Sequence, residues 1–155
     1  MAWVAADNLH ITLKFLGGVD EPRLAEISAA LERAVTVPTF QVEVRGFGAF
    51  PSTTRPRVLW AGAPGPPAFT RLAEDVDRAL VALGFPPEAR GFAPHVTVGR
   101  VREPRRDAAL AVALEAAAAR SFGTFGVERV SLMRSDLSPK GARHTELSAF
   151  PLPPT

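Results

Sequence analysis

Apolar and polar residues alternate through HITLKFL, residues 10–16, so Ile11, Leu13 and Phe15 take one side of an expected strand and His10, Thr12 and Lys14 the other. The period then changes. In EPRLAEISAALERAV, residues 21–35, Leu24, Ile27, Ala30, Leu31 and Ala34 recur at helical spacing behind Pro22. A strand is expected in TFQVEVRGFGAF and a shorter one in RVLWAG, separated by the turn-rich PSTTRP. After PGPP, Phe69, Leu72, Val76, Leu80 and Leu83 form the apolar face of a helix over about 68–84, which Gly84 and the following prolines stop. The remainder reads as strand HVTVGRV, helix DAALAVALEAAAAR, strand FGVERVSLMRS, a Pro-Lys-Gly turn at 139–141 and a last strand RHTELSAF.

These elements repeat. A constant shift of 85 positions carries His10 onto His95 and Thr12 onto Thr97, and also Thr39, Phe40, Val42 and Glu43 onto Thr124, Phe125, Val127 and Glu128. Two matches held in register across the intervening helix imply one domain, residues 1–155, of two related halves, about 1–65 and 66–155. Two units are too few for a solenoid, so the halves are expected to face each other about a pseudo-twofold axis. By the same analogy, a strand and helix that precede His95 have no counterpart ahead of His10.

A strand places residues i and i+2 on one face, about 7 Å apart. One His-x-Thr can therefore address two atoms of a small anion, and two such pairs can hold a phosphate between them. Histidine titrates near neutrality, so one ring can take a proton from an attacking oxygen while the other gives one to a departing oxygen. Thr12 and Thr97 would bond non-bridging oxygens, and Arg100 in HVTVGR would add positive charge. Strict alternation points Arg100 away from His95, so its role requires a strand end or bulge at Gly99; its counterpart in the first half is Phe15. No metal or other cofactor is demanded.

The 155 residues are enough for one substantial core. The 16 arginines against 2 lysines fit an anionic ligand, although a GC-rich genome also favours arginine. Arg55, Arg57, Arg102, Arg105 and Arg106 could line an entrance for a polyanion, and Phe47, Phe50 and Trp60 could stack a nucleobase; solvated and core positions respectively are the ordinary alternatives. His144 lacks a threonine two residues on and is read as a surface or rim residue. The absence of cysteine removes disulfides, thiolate metal sites and a cysteine nucleophile together. With no basic leader and no apolar run near about 20 residues, a cytoplasmic protein with no membrane association is expected.

HITLKFLG and HVTVGR together resemble the paired signatures of the two-histidine phosphoesterase superfamily, specifically its RNA 2',3'-cyclic phosphodiesterases, also called 2'-5' RNA ligases. The resemblance extends through RVLWAG and the closing LMRSDLSPKGARHTELSAFPL. It implies an α+β, bilobal fold in which two pseudo-symmetric antiparallel sheets flank a central cleft with helices outside. It further implies metal-independent opening of 2',3'-cyclic phosphate ends to a 2'-phosphate, with 2'-5' ligation as a related reaction. His10 and His95 become the catalytic pair, His10 protonating the 3'-oxygen and His95 activating water, with the reverse assignment open. Thr12, Thr97 and Arg100 bind the phosphate. The implied partners are RNA or oligonucleotides with a 2',3'-cyclic phosphate end, or small cyclic nucleotides, met by a monomer. Relatives begin with a strand and helix ahead of the first histidine, and often carry tyrosine where this chain has His144. Two other classes stay open, a nucleotide- or RNA-binding module with little turnover and a histidine-metal hydrolase, the latter needing further ligands near both motifs.

Overall fold

Both strongly periodic stretches fold as helices. The computed structural model describes residues 2–102, 106–139 and 141–155. Helix α1 (Leu24–Ala34) follows a single 3-10 turn at Glu21–Arg23, where Pro22 occupies a position whose N–H has no partner to lose. Helix α2 (Pro67–Val81) again begins on proline and buries Phe69, Leu72, Ala73, Val76 and Leu80. In α3 (Ala108–Ala116) the Asp107 carboxylate accepts the Leu110 N–H at 3.0 Å, capping the first turn. Among the described residues no helix is long and apolar enough to cross a membrane.

The strands are β1 (Ala2–Trp3), β2 (Phe40–Phe50), β3 (Val58–Gly62), β4 (His95–Arg100), β5 (Ser121–Val127), β6 (Arg129–Ser138) and β7 (Gly141–Pro151). The fold is α+β with two antiparallel sheets, one of five strands in the order β1-β4-β3-β2-β5 and a hairpin sheet of β6 and β7. FGVERVSLMRS, expected as one strand, is divided at Glu128 between the two sheets. The Glu128 carbonyl accepts the Leu152 N–H at 2.8 Å, which takes this residue out of the first ladder.

Two compact units result, each drawn from three stretches of chain. One contains the segments up to Thr12, Val42–Pro64 and Ala93–Phe125; the other contains Leu13–Gln41, Gly65–Phe92 and Gly126–Thr155. In the first, Leu110 and Leu114 of α3 pack on Phe47, Ala49, Leu59 and Val98. In the second, Ile27, Leu31, Leu72, Val76 and Leu80 of α1 and α2 pack on Val130, Leu132, Phe150 and Leu152. Leu72 is 1% exposed, and full burial of such a side chain contributes about 1.5–3 kcal/mol.

The segment 10–16 departs from the expected strand, since only Ile11 joins the sheet, in an isolated bridge to Val96. The edge of β4 is shared. Its residues Gly99 and Arg100 pair with Trp3 and Ala2, and Val98 accepts the Val4 N–H, so little edge remains for the histidine segment. Beyond Thr12 the alternation fails: Leu13, Leu16 and Val19 pack on the core of the second unit while Phe15 is 82% exposed.

Lys14 has a separate fate. Its side chain is 3% exposed, and its ammonium donates to Asp77 at 2.5 Å and to the Pro86 carbonyl at 2.7 Å. A buried cation requires such acceptors. The Lys14 hydrogen bond holds the Asp77 carboxyl below the usual carboxylate range, against the opposing effect of burial. The pair therefore stabilises the fold above the ordinary carboxylate pKa, and that contribution is lost as pH falls through the lowered folded value. Lys14→Met is expected to cost about 1–3 kcal/mol at neutral pH. Urea unfolding from neutral to acid pH should show the deficit shrinking; an equal deficit at every pH would contradict the pairing.

Candidate active site

The second motif lies wholly on β4, and its neighbour β3 fixes which side chains share a face. Val58 pairs with Arg100, Leu59 with Gly99, Trp60 with Thr97 and Gly62 with His95. Between Leu59 and Trp60 the register slips, leaving Val98 as the extra residue of a β-bulge. Val58, Trp60 and Gly62 alternate regularly on one side of β3, so their partners Arg100, Thr97 and His95 share that side as well. The bulge lies one residue from the position expected at Gly99, and it turns Arg100 to the histidine face.

The first motif meets the second across the Ile11–Val96 bridge, which is antiparallel. An antiparallel pair carries its own local twofold axis. Val96 pairs with Ala61 and lies on the side opposite His95 and Thr97; Ile11, opposite Val96, is on that same far side. The extended chain on either side of Ile11 then presents His10 and Thr12 to the face of His95 and Thr97. Continued one residue each way, the register sets His10 opposite Thr97 and Thr12 opposite His95, with the histidines diagonal at about 7–8 Å. All five residues, His10, Thr12, His95, Thr97 and Arg100, belong to the first compact unit. His10, Thr12 and Arg100 are exposed and His95 and Thr97 half-buried.

Both imidazoles are oriented by one local device. Nδ1 of His10 donates to the Asn8 carbonyl at 2.7 Å, and Nδ1 of His95 donates to the Ala93 carbonyl at 2.8 Å. A carbonyl can only accept, so Nδ1 carries a proton in each ring and Nε2 is the acceptor nitrogen of the neutral tautomer. Asn8 and Ala93 are themselves related by the 85-residue shift. Sequence reading passed over them because the working group is the backbone oxygen, which imposes no side chain.

Aromatic rings surround His95. Phe50 stands edge-on to its ring with centroids 5.4 Å apart, and Trp60 lies at 6.2 Å from His95 and 5.4 Å from Phe50. Trp60 crosses its partner Gly48 so closely that a Cβ there would overlap the indole, which fixes glycine at that position. The three aromatic candidates therefore differ. Phe47 packs with α3 and lies 4.7 Å from Phe122, Trp60 is half-buried with its Nε1 enclosed, and Phe50 remains 45% exposed. Arg55, Arg57, Arg102 and Arg106 are exposed, and Arg105 lies outside the described residues. His144 sits on β7, its Nδ1 2.8 Å from the Ser135 hydroxyl of β6. Among the described residues no three His, Asp or Glu side chains cluster as a metal site.

Comparison with known proteins identifies the family. The family model of the 2'-5' RNA ligase superfamily matches residues 2–139. The RNA 2',3'-cyclic phosphodiesterase of Methanothermobacter thermautotrophicus is 38% identical over 151 residues, covering 97% of this chain and 82% of that protein. That of Archaeoglobus fulgidus is 40% identical over 147 residues, 95% and 81% of the respective chains. Among solved structures, TT0787 of Thermus thermophilus superposes with a TM-score of 0.80 at 31% identity, over 99% of this chain and 82% of its own. E. coli LigT complexed with 3'-AMP gives 0.74 at 26% identity, over 97% and 80%. Matched by the family model over most of its length and by curated relatives over about four fifths of theirs, the chain belongs to the 2'-5' RNA ligase superfamily.

Proposed function

We propose that this chain opens the 2',3'-cyclic phosphate at the end of an RNA to a 2'-phosphate, with His10 and His95 as acid and base and without a metal. The observation that carries this reading is the antiparallel Ile11–Val96 bridge, which sets two His-x-Thr motifs head to tail on one face. The superfamily membership and the activity of the curated relatives support the same substrate class.

The chemistry is an in-line displacement at phosphorus. His95 takes a proton from water at Nε2 as the new P–O bond forms. The P–O3' bond breaks, and Nε2 of His10 delivers a proton to the departing 3'-oxygen, leaving the phosphate on O2' after net addition of one water. The Thr12 and Thr97 hydroxyls donate to the non-bridging oxygens, and the Arg100 guanidinium offsets the charge that accumulates there. Exchange of the two histidine roles gives the same balance. A 5'-hydroxyl in place of water makes a 2'-5' linkage by the same steps.

Turnover of cytidine 2',3'-cyclic phosphate in EDTA, followed across pH, tests the scheme. A bell-shaped kcat/KM profile is expected, because one ring must be neutral and the other protonated. A profile with one limb, or activity abolished by EDTA, would overturn it. Binding of the 2'-phosphate product with no turnover would reassign the chain as a binding module.

A further inference from the structure

We infer that β5 is a self-complementary edge through which two copies of this chain pair, joining their five-stranded sheets about a twofold axis at Thr124, in place of the monomer that the resemblance implies. The inference stands apart from the catalytic reading and does not depend on it.

The strand order puts β5 at one end of the sheet and β1 at the other. An end strand offers unpaired N–H and C=O groups to any extended chain, and proteins blunt such edges by shortening them or by placing charges and prolines along them. β1 is only two residues long. The hairpin sheet carries Arg129, Arg134 and Asp136 on β6 and Arg143 and Glu146 on β7. β5 has neither protection: SFGTFGV runs for seven residues without a charge or a proline, and residues 121–126 are all exposed. Phe122 is 43% exposed and Phe125 39%, although Phe122 keeps one side against Phe47 with ring centroids 4.7 Å apart.

The order of residues in β5 names its occupant. When two copies of the strand run antiparallel with Thr124 on the axis, Phe122 lies opposite Gly126 of the second copy and Phe125 opposite its Gly123. Each glycine of the strand then faces a phenylalanine, and no phenylalanine faces another. A ring laid over a glycine covers backbone that no side chain shields, and such cross-strand pairs pin a register. Gly123 has the room for it, since a Cβ there would meet nothing within 4 Å, and its φ of 129° is one that a residue with a side chain rarely takes. A slip of one residue either way sets Phe122 opposite Phe125 or Gly123 opposite Gly126 and loses these pairs. Both strands are uncharged, so nothing repels the approach. The contact uses the same patch on both copies and consumes the edge, so assembly closes at two chains.

The test is sedimentation velocity from about 1 μM to about 500 μM, the span in which small interfaces associate. It compares the wild type, Thr124→Lys, Thr124→Glu and an equimolar mixture of the two variants. Thr124 is exposed, and circular dichroism on each variant checks that the fold is kept. The wild type is expected to pass from monomer to dimer as its concentration rises. Each variant alone sets two like charges opposite each other on the axis and should weaken dimerisation at least about fivefold, whereas the mixture should recover it as a heterodimer of opposite charges. A wild type that stays monomeric throughout overturns the inference and leaves the edge to an extended segment of a different protein. Undiminished dimerisation in both variants, or a mixture that associates no better than either variant alone, places the contact elsewhere and overturns it as well.

Discussion

Replacement of His10 or His95 by alanine is expected to lower kcat/KM on a 2',3'-cyclic phosphate by at least about a hundredfold, the usual contribution of a positioned proton donor or acceptor. Each single variant should also lose one limb of the pH profile. The ring that remains can supply only the acid or only the base. The double variant should lose much less than the product of the two single losses, because once one proton transfer is missing the second no longer has a matched transition state to serve. His10→Ala and His95→Ala leave their backbone segments in place, and the ladder pairing Gly62 with His95 needs no imidazole. Circular dichroism and melting temperature should therefore match the wild type. Wild-type rates in either variant would remove the acid–base pair from the mechanism, whatever substrate the protein takes.

Gly48→Ala is expected to cost about 1–3 kcal/mol, the range for forcing a methyl group into a filled site, and to lower turnover as well. The Trp60 indole occupies the volume a side chain at residue 48 would need, and the ring is flanked by Phe50 and His95. Displacement of the indole therefore moves the surface against which the His95 imidazole is set. A double-mutant cycle isolates the cause. In a Trp60→Leu background the Gly48→Ala penalty should shrink markedly, since the clash is with the aromatic ring, and the coupling should exceed about 0.5 kcal/mol. Additive penalties would show that residue 48 acts through something other than Trp60.

The helices were legible because their signal is local. Of the apolar residues that the periodicity selects in α1 and α2, Ile27, Ala30, Leu31, Phe69, Leu72, Val76 and Leu80 are buried, and Leu24 and Ala34 are half-buried. Strands β2, β3 and β4 were legible for a similar reason, since Gly, Pro and polar clusters mark their ends. HITLKFL misled, because alternation describes a strand only where a neighbouring edge is available. Ala2 and Trp3 occupy part of the β4 edge, and the chain beyond Thr12 turns to bury Lys14 beside Asp77. The same limit applied to FGVERVSLMRS, whose composition shows no sign that Glu128 separates two sheets.

The candidate site divides along the same line. Its residue types and their repetition at a constant shift are properties of the chain itself, and they sufficed to select His10, Thr12, His95 and Thr97 and to exclude thiol chemistry. Three further matters belong to the tertiary structure. The Ile11–Val96 bridge decides that the two motifs run antiparallel on one face, the bulge at Val98 decides that Arg100 joins them, and the carbonyls of Asn8 and Ala93 decide which imidazole nitrogen carries the proton of the neutral ring. Each depends on backbone hydrogen bonding, to which every residue contributes the same groups whatever its side chain. Side-chain chemistry is therefore written in the order of residues, whereas the register that aims it arises only when segments more than eighty positions apart pair with one another.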